Sequence, residues 1–209
     1  MVSPTCCVIG AGDFDETADS LEKADVLIAA DGGFDAALKI GAVPEWVIGD
    51  FDSSSHIPAG RNVVVLPREK DDTDMMAAVK KGLALSCRTF YLYGGTGGRI
   101  DHTFANIQTL DFLAQNGARG YMIDKENVFC VVRNGELVLP AAKSGYVSVF
   151  CLSDSAAGVT VEGLKYSLTD AVLTRHFPLG VSNEFIAKTA RIAVRNGTLL
   201  VVFPRILKG

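Results

Sequence analysis

Five short apolar runs in its first half constrain the fold of this 209-residue chain more tightly than any single residue does. They are Thr5 to Ile9, Ala24 to Ala30, Trp46 to Ile48, Asn62 to Leu66 and Thr89 to Tyr93. Each is nearly continuous in apolar character instead of alternating, as a strand must be when both faces of its sheet are covered. Helical patterns accompany them: Phe34 to Ile40, stopped by Gly41 and then Pro44; Thr73 to Leu85; and Asp101 to Gln115, stopped by Gly117. This alternation predicts an N-terminal doubly wound parallel α/β domain. Beyond about Tyr121 the pattern changes. Val128 to Leu139 and Ala190 to Phe203 are each broken by Asn-Gly, at Asn134-Gly135 and Asn196-Gly197, which predicts two β-hairpins. The short runs between them, Val147 to Leu152, Gly158 to Val161 and Ala171 to Leu173, complete an all-β reading, a C-terminal β-sandwich. The expected domains are residues 1–122 and 123–209, with no Pro- or Ser-rich linker between them.

Charge narrows the function classes. The formal net charge is −4 and no Lys/Arg tract can follow a nucleic-acid backbone, so no nucleic-acid partner is expected. No apolar run approaches the ~20 residues of a membrane span, and the N-terminus lacks a basic region followed by a long hydrophobic stretch. A cytoplasmic protein without a membrane partner is expected. The five cysteines, Cys6, Cys7, Cys87, Cys130 and Cys151, are odd in number and lack C-x-x-C spacing, which favours buried thiols over a disulfide framework or zinc site.

Carboxylates crowd the stretch from Ile48 to Asp74. Asp50 and Asp52 follow the apolar run Trp46-Val47-Ile48, where a buried strand would emerge; in an extended chain, residues two apart point the same way. Asp71, Asp72 and Asp74 precede the helical Met75-Met76-Ala77-Ala78-Val79, with Asp71 or Asp72 as a possible N-cap and Asp74 in the first turn. Repulsion among clustered carboxylates is relieved by a hard divalent cation, and Mg²⁺ takes one or two protein carboxylates plus water and phosphate oxygens. Capping or solvation is the competing account of Asp71 and Asp72.

Gly94-Gly95-Thr96-Gly97-Gly98-Arg99 lies between a strand and a helix, the context in which backbone N–H groups and a helix N-terminus hold phosphate. Arg99 can add a bidentate charge, and His102 is the one histidine well placed beside it. No Gly-Lys-Ser/Thr follows, so this is not a P-loop. Gly10-Ala11-Gly12 with Asp31 imitates a dinucleotide fingerprint, but Asp13 and Asp15 put negative charge where pyrophosphate would lie. No Gly-x-Ser-x-Gly elbow supports a serine hydrolase. What remains points to Mg²⁺-dependent chemistry on a nucleotide phosphate.

Five motifs in order, Ala30-Asp31-Gly32-Gly33, Gly49-Asp50-Phe51-Asp52-Ser53, Lys70-Asp71-x-Thr73-Asp74, Gly94-Gly95-x-Gly97-Gly98-Arg99-x-Asp101-His102 with Asn106, and Gly180-Val181-Ser182-Asn183-Glu184-Phe185, together resemble the bacterial thiamine pyrophosphokinases. The resemblance implies pyrophosphoryl transfer from ATP to the hydroxyl of thiamine, giving thiamine diphosphate and AMP. It also implies an α/β domain followed by a β-sandwich, and a homodimer with sites shared between subunits. Carried over by position, Asp50, Asp52 and Asp74 are the implied Mg²⁺ ligands. Asp71, Arg99 and Asp101 are implied in the transfer, and Asp31, Thr73, Gly95, Arg99, His102 and Asn106 on the nucleotide side. Ser182 and Asn183 are implied at the thiamine-binding turn. Tyr166 and Phe185 are candidate walls for a cationic thiazolium, with simple core packing as the alternative.

Overall fold

The computed structural model describes residues 3–13, 21–51 and 62–205. The chain divides into two compact units, Met1–Lys125 and Glu126–Gly209.

In the first unit, strands β1 (Thr5–Ile9), β2 (Val26–Ala30), β3 (Trp46–Gly49), β4 (Val63–Val65), β5 (Thr89–Tyr93) and β6 (Arg119–Ile123) pair in the order β4-β3-β2-β1-β5-β6, every pair parallel. The chain steps outward from β1 to β4 and then returns to the other side of β1 for β5. The strand order therefore reverses at β1, and in open α/β sheets the ligand crevice lies beyond the strand C-termini at such a switch point. The central strands are nearly all buried, Cys6 to Ile9 completely so, which accounts for their continuous apolar character. Sequence reading separated five of the six strands; β6 begins Arg119-Gly120-Tyr121, which carries no apolar run.

Helices α1 (Gly33–Lys39), α2 (Asp74–Ala84) and α3 (Ile100–Gln115) fall close to the predicted spans. Helix α2 buries Met75, Ala78, Val79 and Gly82, one stripe at helical spacing. Its N-cap is neither Asp71 nor Asp72. Thr73 has the extended backbone a cap requires, and its Oγ1 accepts a hydrogen bond from Met76 N at 3.1 Å. The two aspartates lie too early in the chain to reach that turn, and Asp72 instead pairs with Lys80 on the surface at 2.7 Å.

The second unit contains β7 (Asn127–Leu139), β8 (Tyr146–Cys151), β9 (Ser155–Glu162), β10 (Leu168–Thr174), β11 (Gly180–Glu184) and β12 (Ala190–Pro204). All its pairs are antiparallel. The two predicted hairpins are overturned: each Asn-Gly lies inside one long strand, β7 or β12, and these two strands pair along their lengths. A two-residue type I′ turn needs positive φ at both central residues. Here Asn134 (φ 45°) and Gly197 (φ 123°) adopt it while their neighbours do not. The two Asn-Gly pairs meet in one bulge: the register shifts once, between Val194 and Thr198 of β12 opposite Asn134 of β7, and Gly197 N donates to Asn134 Oδ1 at 2.9 Å. Beyond β7, the first half of β12 pairs with β9 and the second half with β8, so two branches, β9-β10 and β8-β11, leave one strand. Cys6, Cys7, Cys87 and Cys130 are buried and Cys151 partly so, all as free thiols. Burial pushes the Cys7 thiol well above its ordinary range.

Candidate active site

Two loops that leave the crevice end of the first unit's sheet are joined through their backbones. Gly10 N donates to Tyr93 O at 2.8 Å, Gly12 N to Gly94 O at 2.9 Å, and Asp13 N to Thr96 O at 2.8 Å. So close an approach leaves no room for side chains: a Cβ on Gly94, which has φ 63°, would overlap Gly10 O, and one on Gly12 would overlap Thr96 O. The apparent dinucleotide fingerprint thus has a different physical cause, the apposition of two backbones. Behind the glycine loop, the buried Asn106 of α3 donates from Nδ2 to Gly95 O at 2.7 Å and fixes where the loop stands.

A cleft of about 450 Å³ opens over these loops. Of the predicted residues, its wall includes Asp31, Asp50, Thr73, Asp74, Gly95, Arg99, His102 and Asn106. Asp71 is exposed and is not part of that wall, nor is Asp101. Asp52, like Asp15 and His56, lies outside the described residues. Phe51, which follows Asp50, is left-handed at φ 55°, and its buried ring packs with Ala29 and Val47.

Asp50 and Asp74 converge on one cation, the Lys70 ammonium. Nζ stands 2.7 Å from Asp50 Oδ2 and 2.9 Å from Asp74 Oδ1, with 14% of the Lys70 side chain exposed. Asp50 follows the end of β3, Asp74 opens α2, and Lys70 precedes the Thr73 cap, so the strand end and the helix start bring the three together. Burial, with Asp31 and Asp50 nearby, raises the Asp74 carboxyl above its ordinary value although Lys70 opposes the shift. Burial alone would lower the Lys70 ammonium, but its two carboxylate partners raise it. The sequence carries Lys70 in the Lys70-Asp71-x-Thr73-Asp74 motif, and its local signal is a cation flanked by Glu69 and Asp71.

This donor set fits Mg²⁺. The two carboxylates already share one cation position, offer only oxygen, and sit in the same cleft as a glycine loop that can present phosphate. Among the described residues, no group of three or more His, Cys, Asp and Glu side chains is placed to hold a metal.

At the start of α3, Arg99 grips Asp101 with both arms of its guanidinium, Nε to Oδ1 at 3.2 Å and Nη2 to Oδ2 at 2.5 Å. Asp101 Oδ1 also accepts His102 N at 3.0 Å. The Arg99 bond, reinforced by that of His102, holds the Asp101 carboxyl below the usual carboxylate range. Both side chains are exposed, so the pair is a clamp open to solvent.

In the second unit, Ser182 is left-handed (φ 59°) and exposed, with its N–H donating to Ser148 Oγ at 3.1 Å. Asn183 is buried and occupied by the backbone. Its Nδ2 donates to Tyr166 O at 2.6 Å, and its Oδ1 accepts both Tyr166 N and Glu184 N at 2.9 Å. The Tyr166 ring is exposed while Phe185 is core.

Residues 17–122 match the family model of the thiamin pyrophosphokinase catalytic domain, and residues 136–199 that of its vitamin B1 binding domain. Thiamine pyrophosphokinase of Bacillus subtilis is 29% identical over 182 residues, 84% of this chain and 85% of that sequence. A solved structure of the Bacillus subtilis enzyme superimposes with a TM-score of 0.86 at 26% identity, covering 97% of this chain and 100% of that one. The Geobacillus thermodenitrificans thiamin pyrophosphokinase structure gives 0.82 at 28% identity, covering 97% and 98%. With the catalytic model alone spanning half the sequence, the chain belongs to the thiamin pyrophosphokinase family.

Proposed function

We propose that this chain moves a pyrophosphoryl group from ATP to the hydroxyl of thiamine in the first unit's cleft, with Asp50, Asp74 and Asp52 as the Mg²⁺ ligands. The observation that carries this reading is the convergence of Asp50 and Asp74 on one cation position beside the glycine loop. Mg²⁺ held there would neutralise charge on the phosphate chain.

The chain's own groups supply the rest. Backbone N–H groups around Gly95 offer hydrogen bonds to phosphate oxygens, and Asn106 keeps that loop in place. Asp31, Thr73 and His102 complete the nucleotide side of the wall. Arg99, held by Asp101 through Nε and Nη2, keeps the outer Nη1/Nη2 edge of its planar guanidinium for phosphate. In the transfer, the thiamine hydroxyl oxygen bonds to the β-phosphorus as the bond from that phosphorus to the α,β-bridging oxygen breaks, and AMP leaves. The transfer does not require a strong base; Asp71 and Asp101 are the alternative acceptors of the hydroxyl proton, which paired Asn substitutions separate. Positioning and electrostatics account for most of the rate in such a reaction.

We assign thiamine to the second unit's Ser182–Asn183 turn. Because its amide is engaged, Asn183 contributes by holding Tyr166, whose exposed ring suits a cationic thiazolium. Residues 1–122 form, in this reading, the doubly wound ATP and Mg²⁺ domain and 123–209 the β-sandwich for thiamine and dimerisation. Exposed Tyr146, Phe177 and Leu179 support the homodimer, since large apolar side chains left wet on one unit favour an interface. Cytoplasmic location belongs to the same proposal; among the described residues no helix is long and apolar enough to cross a membrane.

Production of AMP and thiamine diphosphate from Mg-ATP, with and without thiamine, tests the reaction. Equimolar, thiamine-dependent products are expected, and Asp50→Asn or Asp74→Asn should abolish them while the fold persists. Products formed equally well without thiamine overturn the acceptor, and near-normal turnover in both variants overturns the metal assignment.

A further inference from the structure

Lys70 takes no part in the transfer described above, yet it lines the cleft. Its ammonium contacts Asp50 Oδ2 and Asp74 Oδ1 together and is largely shielded from water. Those oxygens belong to the carboxylates assigned to Mg²⁺. An ammonium and a divalent ion cannot share the same two oxygens, Asp50 Oδ2 and Asp74 Oδ1, because like charges a few ångströms apart repel. Metal binding through those oxygens therefore requires Lys70 to leave. Leaving is costly unless another anion receives the ammonium, since a cation shielded in this way needs a partner. The phosphate chain of a nucleotide in the same cleft is such an anion, and lysine's flexible stem with rotatable donors allows the transfer.

We propose that Lys70 is an exchangeable counter-ion for the Asp50–Asp74 pair, one that opposes loading of free Mg²⁺ and moves onto the phosphates when metal and nucleotide arrive together. The consequence is positive coupling between metal and nucleotide: each binds better with the other because Lys70 is displaced only once. The proposal rests on the assignment of Asp50 and Asp74 to the metal.

The test measures Mn²⁺ binding by spin resonance, with and without a non-hydrolysable ATP analogue, in the intact wild-type chain and in Lys70→Gln, Lys70→Arg and Asp74→Asn. Lys70→Gln should bind Mn²⁺ alone about tenfold tighter than wild type, within the usual span of site-to-site coupling, and lose about the same factor in nucleotide enhancement. Lys70→Arg, which keeps the charge, should stay close to wild type, whereas a purely structural role would make the two variants alike. In the wild type, the Lys70 side-chain resonances should shift with Mg²⁺ plus analogue and stay put with Mg²⁺ alone, a readout independent of whether any variant folds. Mn²⁺ binding to Lys70→Gln no tighter than to wild type, with Asp74→Asn weakened, overturns the counter-ion role and leaves the metal assignment standing. Unchanged Mn²⁺ binding in Asp74→Asn overturns both.

Discussion

Replacing Asn183 by alanine removes three hydrogen bonds to the backbone of one turn: a donor to Tyr166 O and an acceptor for Tyr166 N and Glu184 N. Asn183 is 8% exposed, so water cannot fully replace its amide. A typical intramolecular hydrogen bond contributes about 0.5–1.5 kcal/mol, so three contribute about 1.5–4.5 kcal/mol. Partial solvation of the turn places the expected loss near the middle, about 3 kcal/mol, a large share of the roughly 5–15 kcal/mol that holds a typical domain folded. Aspartate at the same position keeps the two acceptor contacts but turns a carboxylate oxygen towards Tyr166 O, removing one bond and adding repulsion. Because the chain has two compact units, whole-chain melting can merge separate events, and amide hydrogen exchange resolves the turn directly. In Asn183→Ala the Tyr166 and Glu184 amides should both lose protection, by about a hundredfold for each ~2.7 kcal/mol of lost stability. In Asn183→Asp both should stay protected relative to the alanine variant. Thiamine KM should rise in the alanine variant with ATP KM unchanged. Unaltered exchange at both amides in Asn183→Ala, with stability within about 0.5 kcal/mol of wild type, would refute the clamp.

Asn106→Ala leaves the buried Gly95 carbonyl without its partner, so about 1–3 kcal/mol of stability should go and ATP KM should rise while thiamine KM holds; an unchanged melting midpoint and ATP KM would contradict the anchoring role. The Asp101 carboxyl should titrate below the ordinary aspartate value of about 3.9 in carbon-detected NMR, and Arg99→Ala should move it back up. With the folded pKa depressed, the Arg99–Asp101 pair favours the folded state above the unfolded pKa, and that contribution fades as pH falls through the folded value. An Asp101 midpoint unmoved by Arg99→Ala would show that the clamp does not hold in solution.

Much of the first unit is legible in the sequence because its signals are local. Thr5–Ile9 and Thr89–Tyr93 coincide with predicted runs, and the helix stops at Gly41 and Gly117 lie within two residues of the observed ends. Strand β6 escaped because Arg119 and Gly120 interrupt its pattern, and it is a strand by virtue of pairing with β5. Asn-Gly misled for a related reason: the dipeptide specifies left-handed backbone, which a turn and a bulge share, and only the partner strand decides between them.

The site divides along the same line. Residue chemistry placed Asp50, Asp74 and Arg99 as candidates, since carboxylates, a glycine loop and a guanidinium can be recognised one segment at a time, whereas Asn106 came from the family resemblance. Pairing across distance was invisible: Lys70 meets Asp50 twenty residues away, and Asn183 meets Tyr166 seventeen away. Such partners follow from where strand ends and helix starts are carried by the register of the sheets. Sequence periodicity reaches about one helical turn or one strand step, so it finds an element and its caps. Which cation stands between two carboxylates, and which amide holds a distant turn, is settled only when packing brings those segments within hydrogen-bond range.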